Sequence, residues 1–413
     1  MPTKDEMRAM LNLAPPDEEE PFDLDLEMNP PKIAGGQIIP SRPKSSLLNL
    51  DTILRGDPMF AGDIKYSELK QNIMVNGKSI ADHDVTEMRL KIASRHRVEF
   101  KKVDTNEVLE LIAYENRYHP VRDWLTSLVW DGVPRLDTWL TRWAQVIDTT
   151  LHRAYARKTC IGAVRRVMEP GAKLDTVLVL HGAHGKGKST LCQIMAHDPA
   201  WYSNTKIDWD SKEKYVALQG VWIYELAELA GKRKADQDTV KNYISSATDK
   251  YRPWYGKHTI EVPRTCAFFA TTNDDEPLHD PTGNRRWWVV SVDAVDTELV
   301  KAEYEQVWAE AMEAWRQGEQ HWLEPELEQQ REEQNSGYET QDPLFPRLVQ
   351  YARAKHAFTV ADFLEEQEVP ASQWSAMATK VGMMMARIGT HRRMERKIDG
   401  VKVRRYEMVH PAT

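Results

Sequence analysis

The chain has 413 residues, of which 41% are hydrophobic and 29% charged. That length supports about two to four hydrophobic cores, and the composition is that of an ordinary globular protein, which excludes fibrous and largely disordered classes. The formal net charge is -8, no apolar run reaches the roughly eighteen residues that span a bilayer, and the opening MPTKDEMRAM lacks the plan of a secretory signal, so the expectation is a cytoplasmic protein with no membrane partner.

Residues 1 to 45 are acidic and proline-rich. Residues 1–28 alone hold nine acids against Lys4 and Arg8, a balance of -7, and the expectation is a disordered tail. Residues 46–114 mix alternating runs such as NIMVNGKSI with the helical stretch DHDVTEMRLKIASRH, capped by Asp82 or Asp84, and predict a small α/β module. Residues 115–170 read as a helical lead-in, with helices near 121–128, 135–147 and 151–168. From 171 to 342 the β-rich runs TVLVLHG, VWIYE, CAFFATTN and WWVVSV alternate with helical segments, which predicts an α/β core with a mostly parallel sheet. An acidic amphipathic helix, AEYEQVWAEAMEAWRQ, and a charged stretch from 324 to 342 follow. Residues 343–413 read as three helices and a hairpin turning at Asp399-Gly400, a winged-helix-like pattern. The three cysteines, Cys160, Cys192 and Cys266, are far apart with no C-x-x-C pair, so neither a disulfide framework nor a zinc site is expected.

Residues 182–190, GAHGKGKST, satisfy G-x-x-x-x-G-K-[ST] at the end of an apolar strand and the start of a helix. Gly182, Ala183, His184, Gly185, Lys186 and Gly187 offer backbone amides to phosphate, Lys188 reaches the terminal phosphates, and Ser189, beside Thr190, ligates Mg²⁺. A site that hydrolyses phosphoanhydride also needs acids at a neighbouring strand tip. VWIYELAEL offers Glu225 as the magnesium-side acid and Glu228 as a water-orienting base, although acids at a helix start are also placed for solvation. CAFFATTND ends in Asn273, whose amide suits holding the lytic water, and Asn also ends strands for turn reasons. In DPTGNRRWW, Arg285 or Arg286 is placed to stabilise charge on a phosphoryl group, presented to a neighbouring subunit. The segment DKYRPWYGKHTIEV sets Arg252, Lys257 and His258 among aromatic residues on a hairpin, as a loop gripping single-stranded nucleic acid requires; an aromatic core hairpin has the same composition. Residues 391–405 carry seven bases against Glu395 and Asp399, a balance of +5. They place Arg392, Arg393, Arg396, Arg404 and Arg405 on the last helix and wing, as a second DNA contact or a solvated face.

In order, YHPVRDWLTSLVWDGVPRLDTWL, EPGAKLDTVLVLHGAHGKGKST, VWIYELAEL, DKYRPWYGK, FFATTND and DPTGNRRWW resemble the virulence-associated protein E family of phage, prophage and mobile-island proteins, over about residues 115–292. The resemblance implies a branch of the superfamily three helicases, which are ring-forming AAA+ ATPases. It implies ATP and Mg²⁺ as cofactors and forked or single-stranded DNA as partner. It further implies a homo-oligomeric ring, a hexamer, working with replication partners in a bacterial host cytoplasm. Many relatives carry a primase module upstream, for which this sequence has no room. Two other classes stay open: an ATP-gated scaffold that regulates without unwinding, and a small-molecule phosphotransferase, against which the sensor-like Asn273 argues.

Overall fold

The computed structural model describes residues 23–35, 37–209, 211, 213–228, 234–252, 259–278, 284–339, 343–398 and 401–409. The chain divides into two compact units, Met1–Asn273 with Arg285–Glu332, and Asp274–Asn284 with Glu333–Thr413. The segment Asp274–Asn284 thus belongs with the tail: Leu278 N donates to Tyr338 O at 3.1 Å, and Asn335 Nδ2 to Asn284 O at 3.0 Å.

The first unit opens on a stretch that differs from the expectation of disorder to residue 45. From residue 23 the chain is held: the side chain of buried Asn49 donates to Glu27 O (2.8 Å) and Lys44 O (2.9 Å) and accepts from Glu27 N (2.7 Å). Leu24 and Leu26 pack on a core that includes Leu50, Ile53, Leu109 and Ile112. A short antiparallel ribbon, β1 (Lys32–Ala34) and β2 (Gln37–Ile39), lies within this stretch. One side chain with three backbone partners overrides a composition that by itself reads as solvated. The module continues with an antiparallel sheet of β3 (Ile64–Ser67), β4 (Asn72–Val75) and β5 (Lys78–Ser79), and helices Leu47–Gly56, Asp82–His96 and Lys102–Glu115. Ala81, not Asp82 or Asp84, occupies the N-cap, and Asp84 accepts from its amide at 2.7 Å.

The lead-in holds helices Pro120–Ser127, Trp139–Ala144 and Thr150–Met168. The second is shorter than the expected 135–147, because the amides of Arg135 (2.6 Å) and Leu136 (2.8 Å) donate to the buried carboxylate of Glu310, drawing the chain out of a helix there.

The core sheet contains β6 (Val177–His181), β7 (Tyr202–Ser203), β8 (Ile223–Ala227), β11 (Ala267–Thr272) and β12 (Trp287–Ser291), in the order β12-β6-β11-β8-β7 with every pair parallel. Helices cover it, and its strands are accordingly near-continuous apolar runs. Helices Thr150–Met168, Lys188–Met195 and Thr297–Arg316 contribute to one core with these strands, where Trp222 packs on Trp308 (ring centres 4.5 Å apart) and Tyr155 stacks on Trp288 (5.1 Å). Between β8 and β11 an antiparallel ribbon, β9 (Thr248–Tyr251) and β10 (Ile260–Pro263), stands apart from the sheet.

The second unit packs helices Leu344–Ala354, Val360–Glu366 and Trp374–Ile388 against a sheet of β13 (Ala357–Phe358), β14 (His391–Ile398) and β15 (Val401–Met408), ordered β13-β15-β14. Its core is built from residues including Leu348, Phe358, Phe363, Val381, Met385 and Tyr406. Arg392, Arg393 and Arg396 lie on β14, and not on the last helix, which stops at Ile388 because Gly389 takes a left-handed φ of 68° and closes it. The turn Asp399-Gly400 lies outside the described residues. Among those described, no helix is long and apolar enough to cross a membrane.

Candidate active site

The glycine-rich loop leaves β6 at His181 and enters the helix Lys188–Met195. Two of its glycines are required by space. At Gly182 (φ 151°) a Cβ would stand 2.4 Å from Val292 O, and at Gly187 (φ 83°) it would stand 2.9 Å from Val295 Cβ. The exit of β12 also ties the loop down, since Val295 N donates to Lys186 O at 3.0 Å, while Gly182 N donates to Thr272 O at 3.1 Å at the tip of β11.

The result is a cleft of about 330 Å³ lined by the loop from His184 to Thr190, by Ala227 and Glu228 at the end of β8, and by Thr271, Thr272 and Asn273 at the end of β11. Lys188 is buried, donates from Nζ to Gly182 O (2.6 Å) and Ala183 O (2.8 Å), and has its pKa lowered by desolvation, which the charge of Glu225 partly opposes. Ser189 Oγ donates to Glu225 Oε1 at 2.7 Å, and Thr271 Oγ1 donates to the same oxygen at 2.6 Å. Tyr202 OH donates to Oε2. Glu225, 1% exposed, is therefore a buried carboxylate satisfied by three hydroxyls, and burial and this contact both push the Tyr202 phenol upward, so it stays neutral. Glu228 follows β8 directly, exposed, with a left-handed φ of 53° that few non-glycine residues adopt. Asn273 Nδ2 donates to His184 Nε2 at 2.7 Å.

Lys188, Ser189, Glu228 and Asn273 thus line one cleft, with Glu225 buried beneath it and bonded to Ser189. Arg285 and Arg286 do not. β12 runs parallel to β6 with Trp287 beside Val177, so both arginines sit at the opposite end of the sheet from the loop, about 16 Å away for a five-residue strand. Arg286 Nε donates to Ser245 Oγ at 2.9 Å, whereas Arg285 is exposed and has no hydrogen-bond or ion-pair partner among the described residues. Arg252 is exposed at the end of β9; Lys257 and His258 lie outside the described residues. The root of that ribbon is firmly held: Arg264 makes a buried two-pronged pair with Asp249 (2.8 and 2.6 Å), and Tyr251 OH donates to Gln71 Oε1 at 2.8 Å while accepting from Gln219 Nε2 at 2.7 Å. Arg404 faces Glu395 (3.8 Å), while Arg396 and Arg405 share Glu407 (2.8 and 2.7 Å).

Tyr202 and Thr271 escape the sequence reading. Tyr202 lies on a two-residue strand with no periodic signal, whereas Thr271, two residues before Asn273, is the first polar residue at the end of the apolar run of β11 and is legible as such. A hydroxyl and a buried carboxylate side by side at a helix N-terminus fit a small hard cation that takes its other ligands from phosphate and water. Among the described residues, no group of three or more His, Cys, Asp or Glu side chains that could hold a metal ion occurs.

The virulence-associated protein E-like domain family matches residues 125–340, just over half of the chain, and the chain belongs to that family. Among solved structures, the apo structure of the NrS-1 C-terminal region, residues 305–718 of that protein, is similar at 12% identity with a TM-score of 0.50, covering 89% of this chain and 100% of that one. The A form apo structure of the same region aligns at 13% identity with a TM-score of 0.47, covering 86% and 99%. The first likeness is one of fold. No curated protein sequence matches the chain.

Proposed function

We propose that this protein is an ATP-dependent, ring-forming motor acting on DNA, built on a P-loop core of AAA+ type with a winged-helix-like tail, in the replication of a phage, prophage or mobile island. The observation that carries the reading is the contact of Ser189 Oγ with the buried carboxylate of Glu225, beside Lys188 and at the mouth of the glycine-rich loop. Ser189 and Glu225 would hold Mg²⁺, which supplies charge neutralisation for the phosphates when bound. The loop amides and Lys188 bind and orient the phosphates. Glu228 and Asn273 face the same cleft and are suited to holding the attacking water, Glu228 as proton acceptor. Strand order supports the assignment, because β11 lies between the loop strand and the acid strand and so delivers Asn273 midway between the two groups of residues.

Arg285 is the better candidate for a trans-acting arginine, since Arg286 is engaged by Ser245 and neither reaches its own subunit's cleft. The ribbon β9–β10 and the basic tail are the proposed DNA contacts. The test measures ATPase activity with and without single-stranded DNA, and strand displacement on a fluorescent fork. Lys188→Ala should abolish all three, and mixing it with Arg285→Ala, but not Arg286→Ala combined with Arg285→Ala in one chain against itself, should restore some hydrolysis. Full ATPase activity in folded Lys188→Ala would overturn the site; hydrolysis without strand displacement would point to the scaffold.

A further inference from the structure

The tail's hairpin carries positive charge on both faces, arranged differently on each. In the register of β14 and β15, Arg392 faces Glu407, Met394 faces Arg405 and Arg396 faces Val403, while Arg393 faces Tyr406 and Glu395 faces Arg404. Side chains alternate across a strand and directly paired residues share a face. Arg392, Met394, Arg396, Val403, Arg405 and Glu407 therefore lie on one face. Buried Tyr406 marks the other, which packs on the helices at its root and also holds Arg393, Glu395, Lys397, Lys402 and Arg404.

Four bases accompany Glu395 on the second face and three accompany Glu407 on the first; what sets the first apart is the geometry of its arginine pairs. Arg396 gives two parallel bonds to Glu407, from Nε to Oε1 and from Nη2 to Oε2, both 2.8 Å, and Arg405 Nε adds a third at 2.7 Å. The two arginines hold the Glu407 carboxyl down at about 2. This is the donor geometry with which arginine receives a phosphate, two oxygens against a planar fork. Glu407 sits where a phosphate oxygen pair would be received, and the face keeps an excess of positive charge around it. The last helix, by contrast, carries few bases: WSAMATKVGMMMARI contains only Lys380 and Arg387. A two-stranded ribbon also fits a DNA groove.

We propose that the β14–β15 face bearing Arg392, Arg396 and Arg405 docks the phosphodiester backbone of nucleic acid, and that Glu407 is an internal competitor for that backbone which is displaced on binding. This rests on the proposed action on DNA, but it commits to one face of one ribbon and to a residue whose removal strengthens binding.

The experiment pairs two substitutions of identical charge on opposite faces in the full chain. Binding of fluorescein-labelled single-stranded and duplex DNA is titrated by anisotropy at several salt concentrations, without nucleotide, for wild type, Glu407→Gln, Glu395→Gln, Arg396→Gln and Lys402→Gln. Inorganic phosphate serves as a competitor. Removing a unit negative charge about 6 Å from a backbone phosphate corresponds to roughly a threefold gain at bulk dielectric, so Glu407→Gln should tighten binding by about threefold or more. Glu395→Gln, on the far face and screened, should change it by less than about 1.5-fold. Arg396→Gln should weaken binding and lower the salt slope by about one, Lys402→Gln much less. Equal gains for Glu407→Gln and Glu395→Gln would overturn the proposal, as would no gain for Glu407→Gln. Displacement of DNA by millimolar phosphate at constant ionic strength would assign the face to free phosphate and also overturn it. No DNA binding by the wild-type chain would instead defeat the function on which it rests.

Discussion

Replacing Glu225 by Gln separates the carboxylate's structural task from its chemical one. Three hydroxyls donate to it, two to Oε1 and one to Oε2. A Gln side chain keeps one oxygen for Ser189 and Thr271 and turns its NH₂ toward Tyr202, whose hydroxyl accepts as readily as it donates. The loss is the charge assistance of these bonds, roughly 1–3 kcal/mol. Glu225→Leu leaves all three hydroxyls without their acceptor in a buried setting, at about 1–3 kcal/mol each, so roughly 3–6 kcal/mol in total after partial rearrangement. Tyr202→Phe removes one bond and should cost about 1 kcal/mol. At about 2–4 °C per kcal/mol for a core of this size, Glu225→Gln should melt within several degrees of wild type and Glu225→Leu about 10 °C or more below it. The assay is thermal unfolding with and without ATP, in Mg²⁺ and in chelator. Wild type should gain stability from ATP with Mg²⁺ beyond its gain in chelator. Glu225→Gln should lose that increment and at least about 100-fold in hydrolysis, the scale of removing one preorganised electrostatic group. Equal melting temperatures for Glu225→Gln and Glu225→Leu would refute the three-hydroxyl account; a wild-type Mg²⁺ increment in Glu225→Gln would refute its role as metal ligand.

Glycine substitutions in the loop should rank by space. Gly182→Ala, with its Cβ 2.4 Å from Val292 O, should displace the loop and cost about 3 kcal/mol or more, whereas Gly185→Ala, at φ 75° but facing open space, should cost only about 1 kcal/mol; calorimetry and nucleotide titration distinguish them, and equal effects would refute the steric argument. His119 caps the helix Pro120–Ser127 by accepting from Arg122 N at 3.2 Å through Nδ1, and burial lowers its pKa from 6.5 to about 4. Between those values the unfolded chain binds the proton more readily, so the stability it contributes is complete above pH 6.5 and is lost as pH falls toward 4, by roughly 3 kcal/mol. Denaturant unfolding of wild type and His119→Asn across that range should show a shallower slope in the variant, and parallel slopes would exclude His119 as the source.

Local chemistry was enough to read the elements of the core. Continuous apolar strands, GAHGKGKST at a strand end and acids following VWIY are signals carried by neighbouring residues, and the structure has β6, β11 and β12 within the apolar runs and β8 overlapping VWIYE. The sequence alone does not tell which strands are neighbours, because parallel strands are joined by crossovers whose order leaves no local trace. Tertiary structure decided that β11 inserts between β6 and β8, and hence that Asn273 shares one cleft with Lys188, Ser189 and Glu228. It also decided that Arg285 and Arg286 stand at the far end of their own sheet, since the parallel register of β12 with β6 fixes which end they precede. Tyr202 reaches Glu225 from a strand too short to have a period, and Asn49 orders an acidic segment through contacts some twenty residues apart in sequence. A side chain's long-range partner is set by which elements pack together, and that information resides in the whole buried core rather than in any window of the chain.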